Sequence, residues 1–145
     1  MTQNPMQKTI GYLLSQVCKL RRARDSTLLE KVGLYRGQHF ILSALWEREG
    51  LTHSELAEQL HVRPATITNT LKRMEKAGLV ERRQDAIDQR VSRVYLTDAG
   101  RNIRDTVERV WDELEEETFV GITAEERVLL RRLLRHIREN LVRGA

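Results

Sequence analysis

The segment spanning residues 51–100 constrains the fold of this chain more than any other part of the sequence. It reads LTHSELAEQLHVRPATITNTLKRMEKAGLVERRQDAIDQRVSRVYLTDAG. Thr52 is a good N-cap residue, and Glu55 three positions later completes a capping box. These signals precede an apolar pattern and predict a helix at His53–Leu60.

A second helix and a hairpin are predicted directly after this one. Proline is well tolerated at the first helical position, so Pro64 predicts a helix over residues 64–77, ended by Gly78. The period then changes to short apolar runs at residues 79–82 and 93–96, which predict two strands joined by a polar loop. Two helices joined by a short turn are typical of a helix-turn-helix.

Amphipathic helices are predicted on both sides of this segment. Apolar spacing indicates helices over residues 10–29 and 37–49, and the second of these carries Phe40 on its inner face. Thr97 is predicted to cap one long helix that continues to Gly121. The inner face of that helix is expected to comprise Val107, Val110, Trp111 and Leu114. A capping box at Thr123 and Glu126 predicts a last helix, striped with Leu130, Leu133, Leu134, Ile137 and Leu141.

Length and composition favour one soluble globular domain over residues 1–145. The start of the chain lacks the apolar core of a signal peptide, and no apolar run approaches the roughly 18 residues of a membrane span. A single cysteine, Cys18, is consistent with a reducing compartment. We therefore expect a cytoplasmic protein.

Positive charge is concentrated in the central segment. Residues 63–93 contain eight basic and four acidic residues, a net charge of +4, which equals the net charge of the whole chain. Such a concentration favours phosphate binding, although charges at helical spacing are more commonly just a solvated face. On the helix at residues 64–77, Ile67, Leu71 and Met74 are assigned to the core. The other faces of this helix and its first turn then offer Arg63, Ala65, Thr66, Thr68, Asn69, Lys72 and Arg73 to a partner.

Several motifs together resemble the MarR family of bacterial transcriptional regulators, which are winged-helix dimers. They are LTHSELAEQLHV, LKRMEKAGLVERR, the DxR motif at residues 88–90 and the LTxxG motif at residues 96–100. The resemblance covers nearly the whole chain. It implies a mainly α fold with a small β wing, in which about residues 37–100 form the winged helix-turn-helix DNA-binding lobe. Long helices within about residues 6–32 and 101–145 would form the dimerisation region.

The resemblance also implies a docking mode on DNA. The helix at residues 64–77 would enter the major groove, and the hairpin at residues 79–96 would be the wing. Arg90 would reach the minor groove with its guanidinium oriented by Asp88. To the candidates above, the wing adds Arg82, Arg83, Asp88 and Arg90. Many members carry Ser and Arg where this chain has Ala65 and Asn69, so the operator sequence stays open.

The resemblance predicts a homodimer that binds double-stranded DNA at a pseudo-palindromic operator, as a repressor released by an unidentified small molecule. No cofactor is implied. A winged-helix protein-interaction module that does not read DNA is the alternative from another class. An enzyme is disfavoured, because no acid, base or nucleophile stands in a recognisable motif, and Glu115–Glu117 is interpreted as solvated helix surface.

A few further residues are candidates for ligand binding or sensing. Tyr12, Tyr35, His39, Phe40 and Trp46 could line a pocket for an aromatic effector, although core packing is the favoured interpretation for each of them. Cys18 is interpreted as a small buried hydrophobe rather than a redox sensor. The four histidines lack metal-ligand spacing, so no metal site is predicted.

Overall fold

The computed structural model describes residues 4–145, which form two compact units divided between Trp111 and Asp112. A short 3₁₀ helix, Pro5–Lys8, precedes the first α-helix. The elements that follow are α1 (Ile10–Glu30), α2 (Gln38–Glu47), β1 (Leu51–Thr52), α3 (His53–Leu60), α4 (Pro64–Lys76), β2 (Val80–Gln84), β3 (Ser92–Leu96), α5 (Asp98–Asn102), α6 (Arg104–Phe119) and α7 (Ala124–Arg143). The predicted mainly α fold with a small β wing is confirmed.

The three strands form one antiparallel sheet in the order β1-β3-β2. Val94 of β3 lies opposite both Leu51 and Arg82 and is fully buried. The hairpin was predicted, but β1 was not, because a two-residue strand leaves no period-2 pattern in the sequence. Pairing with β1 fixes the base of the wing to the start of α3.

A single hydrophobic core holds the helix-turn-helix and the wing together. Its members include Leu56 of α3, Ile67 and Leu71 of α4, and Val94 of β3, all at most 2% exposed. Each such side chain contributes about 1.5–3 kcal/mol when it is removed from water. The orientation of α4 is therefore set by its three core residues, which leaves its other faces to solvent.

The two predicted capping boxes differ in the structure. At the start of α7, Thr123 and Glu126 each bond the other's backbone N–H, so the box is complete. At the start of α3, the Thr52 hydroxyl accepts from the N–H of Glu55, but no return bond is found among the described residues. The reason is that Thr52 already belongs to β1, opposite Arg93, and the Glu55 carboxylate lies 3.8 Å from the Arg93 guanidinium.

The single long helix predicted after Thr97 is wrong. The chain forms α5 and then α6, with Ile103 in a turn between them. Thr97 does cap α5, since its hydroxyl accepts from Gly100 N, and it also donates to Gly78 O. A side chain on Gly100 would overlap the backbone carbonyl of Leu79, so this glycine allows α5 to approach the wing closely.

Burial along the helices also departs from three expectations. Phe40 was placed on the inner face of α2 but is 46% exposed, because Ile41, Leu42 and Leu45 already fill that face. Cys18, interpreted as buried, is exposed, as are its α1 neighbours Val17 and Leu20. Val110 and Trp111 are only half-buried, in contrast to Val107 and Leu114.

Both α1 and α7 carry many exposed apolar side chains. On α1, Ile10 and Leu20 are at least 70% exposed, and α7 has no buried residue at all. No helix within residues 4–145 is long and apolar enough to span a membrane.

Candidate nucleic-acid interface

The helix-turn-helix is built by α3, α4 and the turn between them. His61 ends α3 in the left-handed conformation with φ of 54°, and its N–H bonds back to α3 carbonyls. Arg63 then precedes α4 in an extended conformation, and its side chain makes no capping bond to the helix. Anions are favoured at such an N-terminus by the helix dipole.

Most of the α4 residues predicted to face a partner are exposed. These are Arg63, Ala65, Thr66, Asn69, Lys72 and Arg73. Thr68 differs from them, because it is only partly exposed and its Oγ1 lies 3.2 Å from Nδ1 of His53 on α3. Residues 63–73 thus combine small, polar and cationic side chains on a surface that can approach base edges.

The wing arginines are paired with nearby carboxylates. Arg82 Nε lies 2.5 Å from Glu75 Oε1, and Arg83 bonds Glu81 while its guanidinium stacks 4.3 Å above the Tyr95 ring. These acidic partners and the aromatic platform were missed by sequence reasoning. Glu81 and Arg83 are two residues apart in a strand and so share a face, which is the one signal that could have found that pair.

Arg93 is held at the base of the wing. Its guanidinium donates to the backbone carbonyl of Gly50 at 2.9 Å and lies 3.6 Å from the Asp85 carboxylate. This arginine joins the loop before β1 to the end of β2. We assign it a structural role.

Asp88 and Arg90 form a two-pronged ion pair in the loop between β2 and β3. Arg90 Nε and Nη2 lie 3.1 and 3.3 Å from the two carboxylate oxygens, and the Arg90 backbone N–H also bonds Asp88. Hydrogen bonds from Arg90 hold the pKa of Asp88 below its usual range, so the carboxylate is charged at neutral pH. The Arg90 side chain remains 90% exposed, so it is oriented without being covered.

The ion pairs locate the excess positive charge of the central segment. Its four carboxylates, Glu75, Glu81, Asp85 and Asp88, each lie beside an arginine of the wing. Within residues 4–145, no ion pair is recorded for the other four basic residues, Arg63, Lys72, Arg73 and Lys76. The four basic residues of the segment that are left without an ion pair therefore lie on α4 and its N-cap.

His53 of α3 lies beside α4, with its Nδ1 3.2 Å from Thr68 Oγ1. Its pKa is lowered by burial and by the nearby Arg82 guanidinium, with Glu75 acting in the opposite sense. The ring is consequently neutral at pH 7 and can hydrogen-bond Thr68 without adding charge to the surface.

The structure groups only some of the residues predicted to form an effector pocket. His39 and Phe40 contact each other and both contact Trp111, whose ring centroid lies 5.4 and 5.8 Å from theirs. Trp46 instead donates to Gly100 O at 2.9 Å. Tyr35 is 52% exposed, so the interpretation as a core residue is wrong for it, and in the described part of the chain neither Tyr12 nor Tyr35 makes a ring contact. Trp111 was missed as a member of this group because its helix position indicated core packing.

A buried carboxylate accompanies the aromatic group. Asp25 Oδ2 lies 3.2 Å from His39 Nε2, yet the two are misaligned for a hydrogen bond, and Asp25 Oδ1 has no partner among the described residues. Burial lowers the pKa of His39 although the Asp25 charge opposes this shift. No group of residues that could hold a metal ion occurs within residues 4–145.

Comparison with known proteins places these features in one family. A model of the MarR family matches residues 34–92. The transcriptional regulator HosA of Escherichia coli O127:H6 is 32% identical over 102 residues, covering 70% of this chain and 76% of HosA. The organic hydroperoxide resistance transcriptional regulator of Bacillus subtilis is 37% identical over 95 residues, covering 66% of this chain and 65% of that protein.

Structural comparison gives the same result. The crystal structure of a mutant MarR from Escherichia coli, complexed with operator DNA, superimposes with a TM-score of 0.85 at 25% identity. The match covers 93% of this chain and 99% of that one. The order of helices, strands and wing described above is thus shared with a DNA-bound regulator. This chain belongs to the MarR family of DNA-binding transcriptional regulators, which are not enzymes.

Proposed function

We propose that two copies of this chain bind a pseudo-palindromic operator in double-stranded DNA and repress transcription until a small molecule releases them. The observation that carries the proposal is the charge distribution, because the unpaired cations of the central segment, among the described residues, all lie on α4 and its N-cap. Charge so placed neutralises phosphates on both sides of a groove occupied by α4. This function places the protein in the cytoplasm with its DNA.

In the proposed docking mode, α4 enters the major groove and the wing follows the backbone. Asn69 is exposed, and an asparagine amide can bond adenine through both its donor and its acceptor. Arg90 enters the minor groove, where an arginine senses groove width and potential rather than base identity. Asp88 reduces the number of conformations that Arg90 samples before it binds.

The homodimer is supported by the exposed apolar side chains of the outer helices. Leu13 and Leu20 on α1 are at least 61% exposed, as are Val128 and Leu141 on α7. Apolar surface of this extent marks an interaction site in a soluble protein. A second copy of the chain would cover the apolar side chains of each helix, and two-fold symmetry would pair two recognition helices with two half-sites.

The effector site is proposed around the aromatic residues of unit one. Phe40 and Tyr35 are about half exposed, whereas one buried carboxylate oxygen of Asp25, Oδ1, has no hydrogen-bond partner among the described residues. An aromatic ligand with a hydrogen-bond donor would stack on the rings and satisfy that oxygen. To release DNA, it must bind more tightly to a spacing of the recognition helices that does not fit the operator.

The test is a footprint and a quantitative binding assay on the DNA that flanks the protein's own gene. We expect Arg90→Ala to weaken binding to all sequences by on the order of tenfold, and Asn69→Ala to change the preferred bases instead. Arg48→Ala is the matched control, since it removes an exposed cation outside the basic segment at residues 63–93. A protein that binds no DNA, or variants with equal and negligible effects, would favour the protein-interaction module.

Repression and dimerisation need separate measurements. Sedimentation equilibrium should give twice the mass of 16.9 kDa, and a reporter fused to the flanking promoter should rise when the gene is deleted. A monomer at micromolar concentration, or a reporter that falls, would contradict these parts of the proposal without affecting DNA binding itself.

A further inference from the structure

Two threonine hydroxyls on α4 are held in different ways. Thr70 Oγ1 donates to the carbonyl of Thr66 at 2.8 Å, so its proton is used within the helix. Thr68 Oγ1 instead lies 3.2 Å from Nδ1 of His53, which belongs to α3. The direction of the Thr68 proton therefore depends on whether Nδ1 is a donor or an acceptor.

The other ring nitrogen of His53 indicates which role Nδ1 plays. Nε2 is buried and has no hydrogen-bond partner among the described residues. A buried N–H without a partner is rarer in proteins than a buried acceptor without one. The favoured neutral tautomer therefore carries its proton on Nδ1 and leaves the Nε2 lone pair facing the interior.

We propose that His53 is a positioning residue for DNA recognition, which donates its Nδ1 proton to Thr68 Oγ1 and so directs the Thr68 hydroxyl proton toward an acceptor on the DNA. The inference rests on the proposed function, because it requires the partly exposed Thr68 to face DNA. The acceptors with this chemistry are purine N7, guanine O6, thymine O4 and phosphate oxygens. A His53 acceptor would reverse the arrangement, and Thr68 would then present only lone pairs.

Protonation of His53 leaves this arrangement in place. Two charged groups face the ring, Arg82 from β2 and Glu75 from α4. A cationic His53 gains a proton on Nε2 and keeps the one on Nδ1, so Thr68 remains an acceptor from His53. Base preference should consequently stay constant as the pH is lowered until His53 is protonated, which happens below the ordinary histidine pKa of about 6.5, whereas the opposite tautomer would change it.

The tautomer can be measured without DNA. In the ¹⁵N-labelled full-length protein, the ring nitrogen shifts of His53 should show a protonated Nδ1 and an unprotonated Nε2 at neutral pH. A protonated Nε2 with a bare Nδ1 would overturn the inference directly, whatever the protein binds.

The effect on DNA can be measured as a double-mutant cycle. His53→Asn keeps a donor near the Nδ1 position, whereas His53→Asp places a side chain of the same shape as asparagine there that can only accept. Each is combined with Thr68→Val, which removes the hydroxyl but keeps the shape. We expect His53→Asp to weaken operator binding about fivefold more than His53→Asn in the wild-type background. In the Thr68→Val background the hydroxyl is gone, so any difference in operator binding between His53→Asp and His53→Asn reflects only the negative charge of aspartate.

The outcomes separate the possible failures. A loss confined to particular base pairs identifies a base edge as the acceptor, and a loss uniform across sequences identifies a phosphate; either supports the inference. If the ratio of the operator dissociation constants of His53→Asp and His53→Asn is the same with Thr68 as with Thr68→Val, His53 does not act through Thr68. If the wild-type protein binds no DNA, the proposed function fails first. Thermal unfolding of each variant confirms that it is folded.

Discussion

The ion pair between Glu75 and Arg82 offers a sharp test of how this protein's charge is used. Glu75 lies on the recognition helix and holds the Arg82 guanidinium at 2.5 Å, so Arg82 is engaged before DNA arrives. Glu75→Gln is isosteric and releases one cation per protomer. If unpaired cations determine phosphate binding, this variant should bind DNA more tightly and with a steeper dependence on salt.

The size of the change follows from the number of unpaired cations. Four such residues in each of two protomers give up to eight neutralised phosphates and a slope of log K against log salt of about −7. Two released Arg82 side chains steepen the slope to about −9. Between about 50 and 200 mM salt, the loss of affinity would grow from about 10⁴-fold to about 10⁵-fold.

Fluorescence anisotropy with a labelled operator across that salt range measures the slope. Glu58→Gln is the matched control, because Glu58 is exposed on α3 and no ion pair is recorded for it within the described chain. It changes net charge equally but releases no arginine. Arg73→Gln should flatten the slope by about 1.8. Identical slopes for Glu75→Gln and Glu58→Gln would refute the reasoning.

Three further predictions concern stability and orientation. Gly100→Ala should lower the free energy of unfolding by about 1–3 kcal/mol, because the added methyl group would overlap a backbone carbonyl. The control is Gly11→Ala, which lies at an exposed helical position and should not lower it. Thermal unfolding compares the two variants. Asp88→Asn should weaken operator binding despite the added positive charge, because Arg90 loses its orientation; tighter binding would show that charge alone matters. Burial lowers the pKa of His39, so as the pH falls the unfolded chain binds a proton at this histidine before the folded chain does. The free energy of unfolding should therefore fall as pH drops below about 6.5, less so in His39→Gln, and identical pH profiles would contradict this.

The parts of the fold that sequence predicted well are those fixed by neighbours in the chain. Thr123 and Glu126 cap α7 as expected, and Pro64 begins α4. The Asp88–Arg90 pair was expected from the family resemblance, and its residues are close because they are two positions apart. Hydrogen bonds and φ restrictions of this range depend on a few residues, so their pattern is visible in the sequence.

The contacts that sequence could not supply join residues distant along the chain. The sequence indicated only that Glu75 is a surface residue of a helix, whereas in the structure β2 places Arg82 beside it. The sequence likewise indicated that Trp111 is a core residue, whereas its ring packs against His39. The exposure of a helical side chain could not be predicted from the sequence either, as the incorrect interpretation of Cys18 as buried shows. Whether a helical side chain is buried depends on which element packs over it.

By itself, then, the sequence determined that residues 53–76 form two helices with a basic, polar face, the first capped by Thr52, and that a hairpin follows them. Only the tertiary structure decided which charges of that face are left without an ion pair and which hydroxyl lies beside His53. The physical reason is how far apart along the chain the interacting residues lie. Capping, turn and helix signals act over three or four residues, whereas neutralising a charge or orienting a proton requires a partner placed there by the packed core.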